Sequence, residues 1–403
     1  MTILNSKRIL LGVTGSIACY KAADLASKLT QLGAVVDVVL TSAALNFISP
    51  LTFQSVTGRR AYIDADLWGP EGHVLHVNLG KRADLLVIAP ATANTLAKLA
   101  SGQSDNLLTL ATLAATAPLL LAPAMDGGMY EHPATQANLK TLKERGAFIV
   151  GPQSGHLASG LSGVGRMVEP AELLGHIRLL LGRSGPLAGR KVVVTAGGTQ
   201  EAIDPVRSIT NRSSGKQGYA LAQAALDLGA AVTLISAPTV LTPPVGAELV
   251  PVTSAEDMLA AVVAEAKGSD ILLMAAAVAD FRPRKVAKQK IKRAAGVPKF
   301  DLTANPDILL ELHKMKAKQP KVVVGFAAES KDLLVSAKQK LKTKHLDLIV
   351  ANDIAASDAG FEVDTNRVVL LDKTGNQEEL PLMSKDEVAR IVVERAAVLL
   401  GSK

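Results

Sequence analysis

The stretch that most constrains the fold runs from Lys191 to Ala220, KVVVTAGGTQEAIDPVRSITNRSSGKQGYA. Val192 to Thr195 favour a buried parallel strand, and Gly197-Gly198 lets the backbone turn sharply after it. Ser213, Ser214, Gly215 and Lys216 then stand where a helix begins, and Tyr219, Leu221, Ala222, Ala225 and Leu226 supply its apolar positions. Strand, loop and helix in that succession predict a doubly wound α/β sheet, whose ligands sit where the strands end. The helix start offers unpaired amides, hydroxyls and the positive end of a dipole, and Arg207, Arg212 and Lys216 add fixed charge. The stretch is therefore read as a site for a phosphorylated substrate.

The same succession recurs along the chain. Arg8 to Val13 form an apolar strand leading into GVTGSIACYK, where Gly12, Gly15 and Ala18 space a turn and Thr14 and Ser16 offer hydroxyls. VVDVVLT ends in Thr41-Ser42, ADLLVIAPATANTLAKLA carries Thr92, Asn94 and Thr95 in its loop, and APLLLAPAM ends at Met125. In the second half KVVVTAGG, AAVTLISA, DILLMAAAV, KVVVGFAAE and LDLIVANDI are the strands, with helices expected near 216–229, 255–267, 306–317 and 331–344. GFEVDTNRVVLLDKTGNQEELPLMS reads as a β-hairpin before a final helix. Between the halves, Gly182, Ser184, Gly185, Pro186 and Gly189 break both periodicities. The expectation is two doubly wound parallel-sheet, Rossmann-like domains, 1–187 and 188–403.

Composition narrows the function. An apolar content of 48% with 20% charged residues is that of a globular chain. No apolar run approaches the roughly 20 residues of a membrane span, and MTILNSKRIL enters a strand without a leader, so a cytoplasmic chain with no membrane partner is expected. Cys19 alone supports neither an internal disulfide nor a cysteine-built zinc site. The net charge is +7, but aromatics are only 3%, too few for base stacking; small anionic substrates account for the excess better than nucleic acid.

Two basic features stay open on the residues alone. VADFRPRKVAKQKIKR holds Arg282, Arg284, Lys285, Lys288, Lys290, Lys292 and Arg293 with no acid after Asp280. It is either a solvated surface loop or a mobile segment closing over a polyphosphate. Lys340 and Lys344, four apart, are either a surface helix face or a pair of ammonium groups aimed at phosphates.

GVTGSIACYK, TSAALNF, LTFQSVTG, APATANTLAKLA, APAMDGGMY and SGLSGVGRM, in that order, resemble the flavin-dependent cysteine decarboxylases. These form the FMN-binding half of the bifunctional phosphopantothenoylcysteine decarboxylase/phosphopantothenate-cysteine ligase family. The resemblance implies that Gly15, Ser16, Thr41, Ser42, Phe53, Ala91, Thr92 and Asn94 hold FMN. It makes His76, in HVNLGKRADLLVIAP, the active-site histidine, which suits a thiol that must lose a proton as the flavin takes a hydride equivalent.

Two positions depart from the family pattern. Asp126 stands where the family has an asparagine against the substrate carboxylate, and two anions side by side repel. Ser159 stands where the family has a proton-donating flap cysteine, and an alcohol is the poorer acid. Either the final proton comes from water or another side chain, or this half is a catalytically impaired or non-catalytic FMN-binding module fused to an active ligase.

VTAGGTQEAIDPVRSITNRSSGKQGYALA, MAAAVADF, KIKR, NPDI, GFAAE and LDLIVAND resemble the bacterial-type ligase half. The resemblance implies CTP, with Mg2+, as activator of 4'-phosphopantothenate through an acyl-cytidylate, from which the amine of L-cysteine displaces CMP. Asn211 and Lys290 would act on the intermediate, and Arg207 and Asn211 would hold substrate. Met274, Ala275, Ala276, Asp280, Lys290, Asn305, Pro306, Asp307, Ile308, Phe326, Lys340 and Lys344 would line the CTP site; metal ligands are not assigned. The family also implies a homo-oligomer, with trimers of the flavin half joined by dimers of the ligase half.

Overall fold

The computed structural model describes residues 2–69, 72–158, 160, 162–292, 299–315, 319–329, 333–353 and 363–401. The chain separates into two compact units, Met1–Leu181 and Gly182–Lys403.

The first unit is built on β1 (Arg8–Val13), β2 (Val35–Leu40), β3 (Ala61–Ile63), β4 (Leu85–Ala91), β5 (Leu119–Pro123) and β6 (Phe148–Ile149). They form one parallel sheet in the order β3-β2-β1-β4-β5-β6. The strand order reverses between β1 and β4, which opens a crevice at their C-terminal ends. Period-two alternation sends Ile9 and Leu11 to one face, under helix Cys19–Gln31, and Leu10 to the other, with Leu86, Ile88 and Leu108. All of β4 is buried, as helices on both faces require. Leu86 is 1% exposed, so truncation to alanine should cost about 2–5 kcal/mol. The strands β3 and β6 are too short for their apolar residues to show a strand period; each is three residues or fewer. A separate hairpin, β7 (Gln153–His156) with β8 (Ser162–Arg166), follows the sheet.

The second unit contains β9 (Lys191–Ala196), β10 (Gln200–Asp204), β11 (Arg207–Thr210), β12 (Ala231–Ser236), β13 (Ala247–Pro251) and β14 (Ile271–Met274). After them come β15 (Phe281–Pro283), β16 (Leu302–Ala304), β17 (Val322–Glu329), β18 (Leu348–Asp353), β19 (Thr365–Asn366), β20 (Val368–Asp372), β21 (Gln377–Glu379) and β22 (Met383–Ser384). The main sheet runs β13-β12-β9-β14-β17-β18-β20-β21. Its strands are parallel up to β18, and the expected C-terminal hairpin extends it as the antiparallel strands β20 and β21. The turn between them is tied by Asp372 Oδ1, which accepts from Thr374 N at 2.8 Å; so short a turn can only reverse the chain.

The helices expected in this unit are present at Lys216–Asp227, Ala255–Ala266, Ile308–Lys314 and Leu333–Thr343. Ser254 caps the second, accepting from Asp257 N at 3.1 Å, and Asp307 caps the third. Two short antiparallel pairs, β10 with β11 and β15 with β16, occupy stretches that the sequence left as loops.

Candidate functional sites

In the first unit the crevice lies where β1 and β4 end. Thr14, 1% exposed, donates from Oγ1 to Pro90 O at 2.6 Å and accepts from Thr92 N at 3.1 Å, joining the two strand ends. Thr92 then caps helix Ala93–Ser101 through its side chain, and Ser16 Oγ accepts from Ala18 N at 3.3 Å before helix Cys19–Gln31. Gly15 cannot carry a side chain here: an added Cβ would stand 2.5 Å from Ala43 Cβ, in the loop after β2. In that same loop Ser42 Oγ donates to Asp64 Oδ2 at 2.6 Å, while Asp64 Oδ1 accepts from Leu107 N at 3.1 Å. Asp64 thus fixes Ser42 to a neighbouring helix, a role that a lone acid in sequence does not announce.

Gly15, Ser16, Thr41, Ser42, Ala91, Thr92 and Asn94 therefore belong to the loops and strand ends of one sheet edge. Phe53 does not share that setting; it is fully buried in the hydrophobic core. His76 lies on helix Gly72–Arg82, and its Nδ1 is buried without a hydrogen-bond partner among the described residues. Asp126 caps helix Gly127–Glu131, its Oδ1 accepting from Gly128 N at 3.0 Å, so part of its conduct is structural. Met125 N donates to Gly165 O at 3.0 Å, docking this turn against β8. Ser159 lies outside the described residues. Cys19 is 1% exposed, and burial pushes its thiol up, which makes it a poor stand-in proton donor.

The second unit holds a cleft of about 690 Å³ at the C-terminal edge of its sheet. Thr195 and Thr199, both fully buried, receive Ala276 N at 3.1 Å and Ala279 N at 2.9 Å, so the loop after β14 is pinned to the end of β9. Asn305 Nδ2 donates to Ala279 O at 2.7 Å and its Oδ1 accepts from Arg282 Nη1 at 2.8 Å, bringing the NPDI turn to the same loop. Asn211 Nδ2 reaches Val278 O at 3.1 Å. The backbone behind it requires glycine: a Cβ at Gly198 would lie 2.8 Å from Asn211 O, and Gly215 takes φ +77° as it caps helix Lys216–Asp227.

Most of the expected CTP residues meet here. Met274, Ala275, Ala276, Asp280, Asn305, Pro306, Asp307, Ile308, Phe326 and Lys344 all line the cleft, with Asn211 and the Ser213–Lys216 turn. Lys344 Nζ pairs with Asp307 Oδ2 at 3.1 Å across it. Lys340 and Lys290 do not line it; Lys290 is exposed. Arg207 is engaged elsewhere, donating from Nε and Nη2 to Asp204 Oδ2 at 3.0 and 2.6 Å and from Nη2 to Ile291 O at 2.7 Å. Asp204 Oδ2 also accepts from Ile291 N at 3.1 Å. Arg207 holds this carboxyl well below the usual range, with the Val206 and Ile291 amides adding to the effect. One buried acid therefore anchors both Arg207 and the residue after Lys290. The cleft also takes in Gln217, Asn352, Asn366 and Lys385, which no motif had marked because they come from four separate segments.

Comparison with known proteins decides the family. Residues 2–182 match the Flavoprotein family model, and residues 187–399 match that of the DNA/pantothenate metabolism flavoprotein C-terminal domain. The chain is 47% identical over 400 residues to the coenzyme A biosynthesis bifunctional protein CoaBC of Bacillus subtilis (strain 168), covering 98% of each. It belongs to the CoaBC family. The CoaBC protein of Vibrio vulnificus (strain YJ016) is 44% identical over 405 residues, all of both chains, and that of Mycobacterium tuberculosis (strain ATCC 25618 / H37Rv) 44% over 409 residues, 98% of this chain and 97% of the relative. As in those CoaBC relatives, both halves are present over essentially full length.

Proposed function

We propose that the second unit joins 4'-phosphopantothenate to L-cysteine using CTP, by way of an acyl-cytidylate, and that the first unit, with FMN, decarboxylates the product to 4'-phosphopantetheine. The observation that carries this reading is the cleft of about 690 Å³ that gathers every residue expected around CTP except Lys290 and Lys340. Its backbone amides, helix start and paired cations suit a triphosphate, while Asn211 stands at the turn where the acyl group would meet the nucleotide. Lys290, on an exposed loop, and Arg207, released from Asp204, would reach the intermediate when that loop closes.

Mg2+ belongs to the proposal as a companion of the nucleotide. Among the described residues no three of His, Cys, Asp and Glu gather into a metal cage. Mg2+ is ordinarily held by substrate phosphates with one or two carboxylates, and Asp280 and Asp307 line the cleft.

For the first unit, the orphaned Nδ1 of His76 fits a bound substrate, and Thr92 and Ser16 stand at helix starts that fit a flavin phosphate. FMN supplies two-electron chemistry that the side chains lack. His76 takes the cysteinyl thiol proton, the hydroxyls of Ser16, Ser42 and Thr92 orient the phosphate end, and Asp126 keeps its turn closed against β8. Thr41, Ala91 and Asn94 would complete the FMN site from the same strand ends, with Phe53 supporting it from the core. Ser159 would stand on the flap as the weaker acid.

Exposed apolar side chains support the expected oligomer: Ile17, Tyr20, Phe47 and Leu51 in the first unit, and Val206, Phe281, Phe300 and Leu302 in the second. Among the described residues no helix is long and apolar enough to cross a membrane, and the cytoplasm is the compartment expected from the sequence.

The test is product formation by the purified chain. Pyrophosphate should appear only when CTP and 4'-phosphopantothenate are both present, and its absence would reject the ligase. CO2 should be released from supplied 4'-phosphopantothenoylcysteine; a flavin-loaded chain that releases none would leave the first unit a binding module.

A further inference from the structure

The cleft contains a buried lysine that no motif marks. Lys385 opens helix Lys385–Gly401, is 6% exposed, and lines the same cleft as Lys216, which opens helix Lys216–Asp227. The two helix starts are tied together: Gln217 Nε2 donates to Lys385 O at 3.2 Å. Lys216 Nζ meets Asp364 Oδ1 at 2.5 Å, and Lys385 N donates to Asp364 O at 3.0 Å. The Asp364 carboxylate, itself 85% exposed, feels the charge of both Lys216 and Lys385. Burial, and then the charge of Lys216, push the Lys385 ammonium below the usual lysine value, the mark of a cation held in place at a cost.

A second observation points to a ligand. Asn352 and Asn366, 9% and 4% exposed, also line this cleft. Each has a buried Oδ1 with no hydrogen-bond partner among the described residues, although Asn366 Nδ2 reaches Gln217 Oε1 at 3.5 Å. Buried carbonyl oxygens left this way are rare and costly, and they call for a donor. A ligand that suits this end of the cleft therefore carries anionic acceptors for the lysines and donors for the carboxamides. A polyphosphate with its metal-bound waters brings both.

We propose that Lys385, with Lys216, binds the terminal two phosphates of the nucleoside triphosphate and receives the departing pyrophosphate. The inference rests on the reading of this cleft as the nucleotide site. In the activation step an oxygen of the substrate carboxylate bonds to the α-phosphorus, the bond from that phosphorus to the bridging oxygen breaks, and the electron pair leaves on pyrophosphate. Nothing is oxidised and no proton is consumed, so the protein's task is to neutralise charge on the leaving group. Lys216 does so by exchanging an exposed carboxylate for a phosphate, and Lys385 by adding the charge of a second ammonium group at the same cleft.

The experiment uses the full-length chain and three probes, CTP, CMP and inorganic pyrophosphate, titrated calorimetrically into the wild type and into Lys385→Gln, Lys385→Arg and Lys216→Gln. The Gln variants should bind pyrophosphate and CTP at least tenfold more weakly, keep CMP binding within about twofold, and be rescued in large part by Lys385→Arg. Unchanged pyrophosphate affinity in both Gln variants overturns the inference while leaving the nucleotide site intact. So does a defect confined to the KM for cysteine, which would make the subsite one for an amino acid. A wild type that binds neither CTP nor pyrophosphate removes the nucleotide reading itself. Because Lys216 is more than one-third exposed, its variant stays informative if the buried Lys385 substitutions fail to fold.

Discussion

The two units share a doubly wound architecture but equip their ligand edges differently. The first edge offers the hydroxyls of Ser16 and Thr92 and close backbone, with Thr14 and Ser42 tying its loops to Pro90 and Asp64, around a turn too tight for any residue but glycine at position 15. The second stores cations as ion pairs, Lys216 with Asp364 and Lys344 with Asp307 at 3.1 Å, with Arg207 and Asp204 paired outside the cleft. Neutral donors suit a cofactor that stays bound, because they hold a phosphate with little dependence on salt. Cations already paired suit a substrate that must arrive charged and leave as fragments, since each carboxylate reclaims its partner when the phosphate departs.

The sharpest way to break this contrast is Lys290→Gln. Removing one charge-stabilising donor typically costs about 10²–10³ in turnover, and Lys290 lies outside the cleft in the free chain. Ligation should therefore fall about 100-fold or more with CTP affinity little changed, as initial rates and a binding titration will show. Normal ligation would make the basic loop a solvated surface segment. On the opposite edge, Gly15→Ala forces a Cβ against Ala43, an overpacking that costs about 1–3 kcal/mol and should appear as loss of flavin on dialysis, with ligation untouched.

Asp204 tests how far the ion-pair edge depends on its anchor. Its folded pKa is held below the ordinary value of about 4, so its contribution is complete above that value and is lost as pH falls through the folded one. Asp204→Asn should lower ligase kcat/KM about tenfold at neutral pH by loosening the segment at Ile291 that carries Lys290, and should flatten the acid limb of a stability-versus-pH curve below about pH 4. A variant with wild-type kinetics would show that Arg207 and Lys290 act independently. Raising salt from 0.05 to about 0.5 M should then increase the KM for CTP several-fold and leave flavin retention unchanged. The smallest effect is expected from Asp126→Asn, since Asn and Asp cap helices about equally well; decarboxylation should stay within about threefold.

What the sequence made legible follows the physics of each element. Long apolar runs such as LLVIAPA and VVVTA declared their strands, and the tight turns after them declared the sheet edges. The short pair β10 with β11 carried no such signal, because the residues it buries, Glu201 and Asp204, are acids rather than apolar side chains. Site residues contained in one motif, such as Asn305 to Ile308, could be read together, since Asp307 is both a helix cap and a wall of the cleft. Lys385, Asn352 and Asn366 could not, because only folding brings their segments side by side, and a buried lysine looks like any surface lysine until its exposure is known. Asp204 was missed for the same reason. Lys290 and Arg207, which family resemblance placed at the reaction, stand outside the cleft, and a string of residues does not show which side chains folding leaves at its rim.

One incubation tests the whole account most directly: the full-length chain with FMN, Mg2+, CTP, cysteine and 4'-phosphopantothenate, followed by mass detection. The account predicts pyrophosphate and CMP in step with 4'-phosphopantothenoylcysteine, which is then converted to 4'-phosphopantetheine with loss of CO2. A flavin-loaded, folded chain that consumes no CTP in that mixture would contradict it.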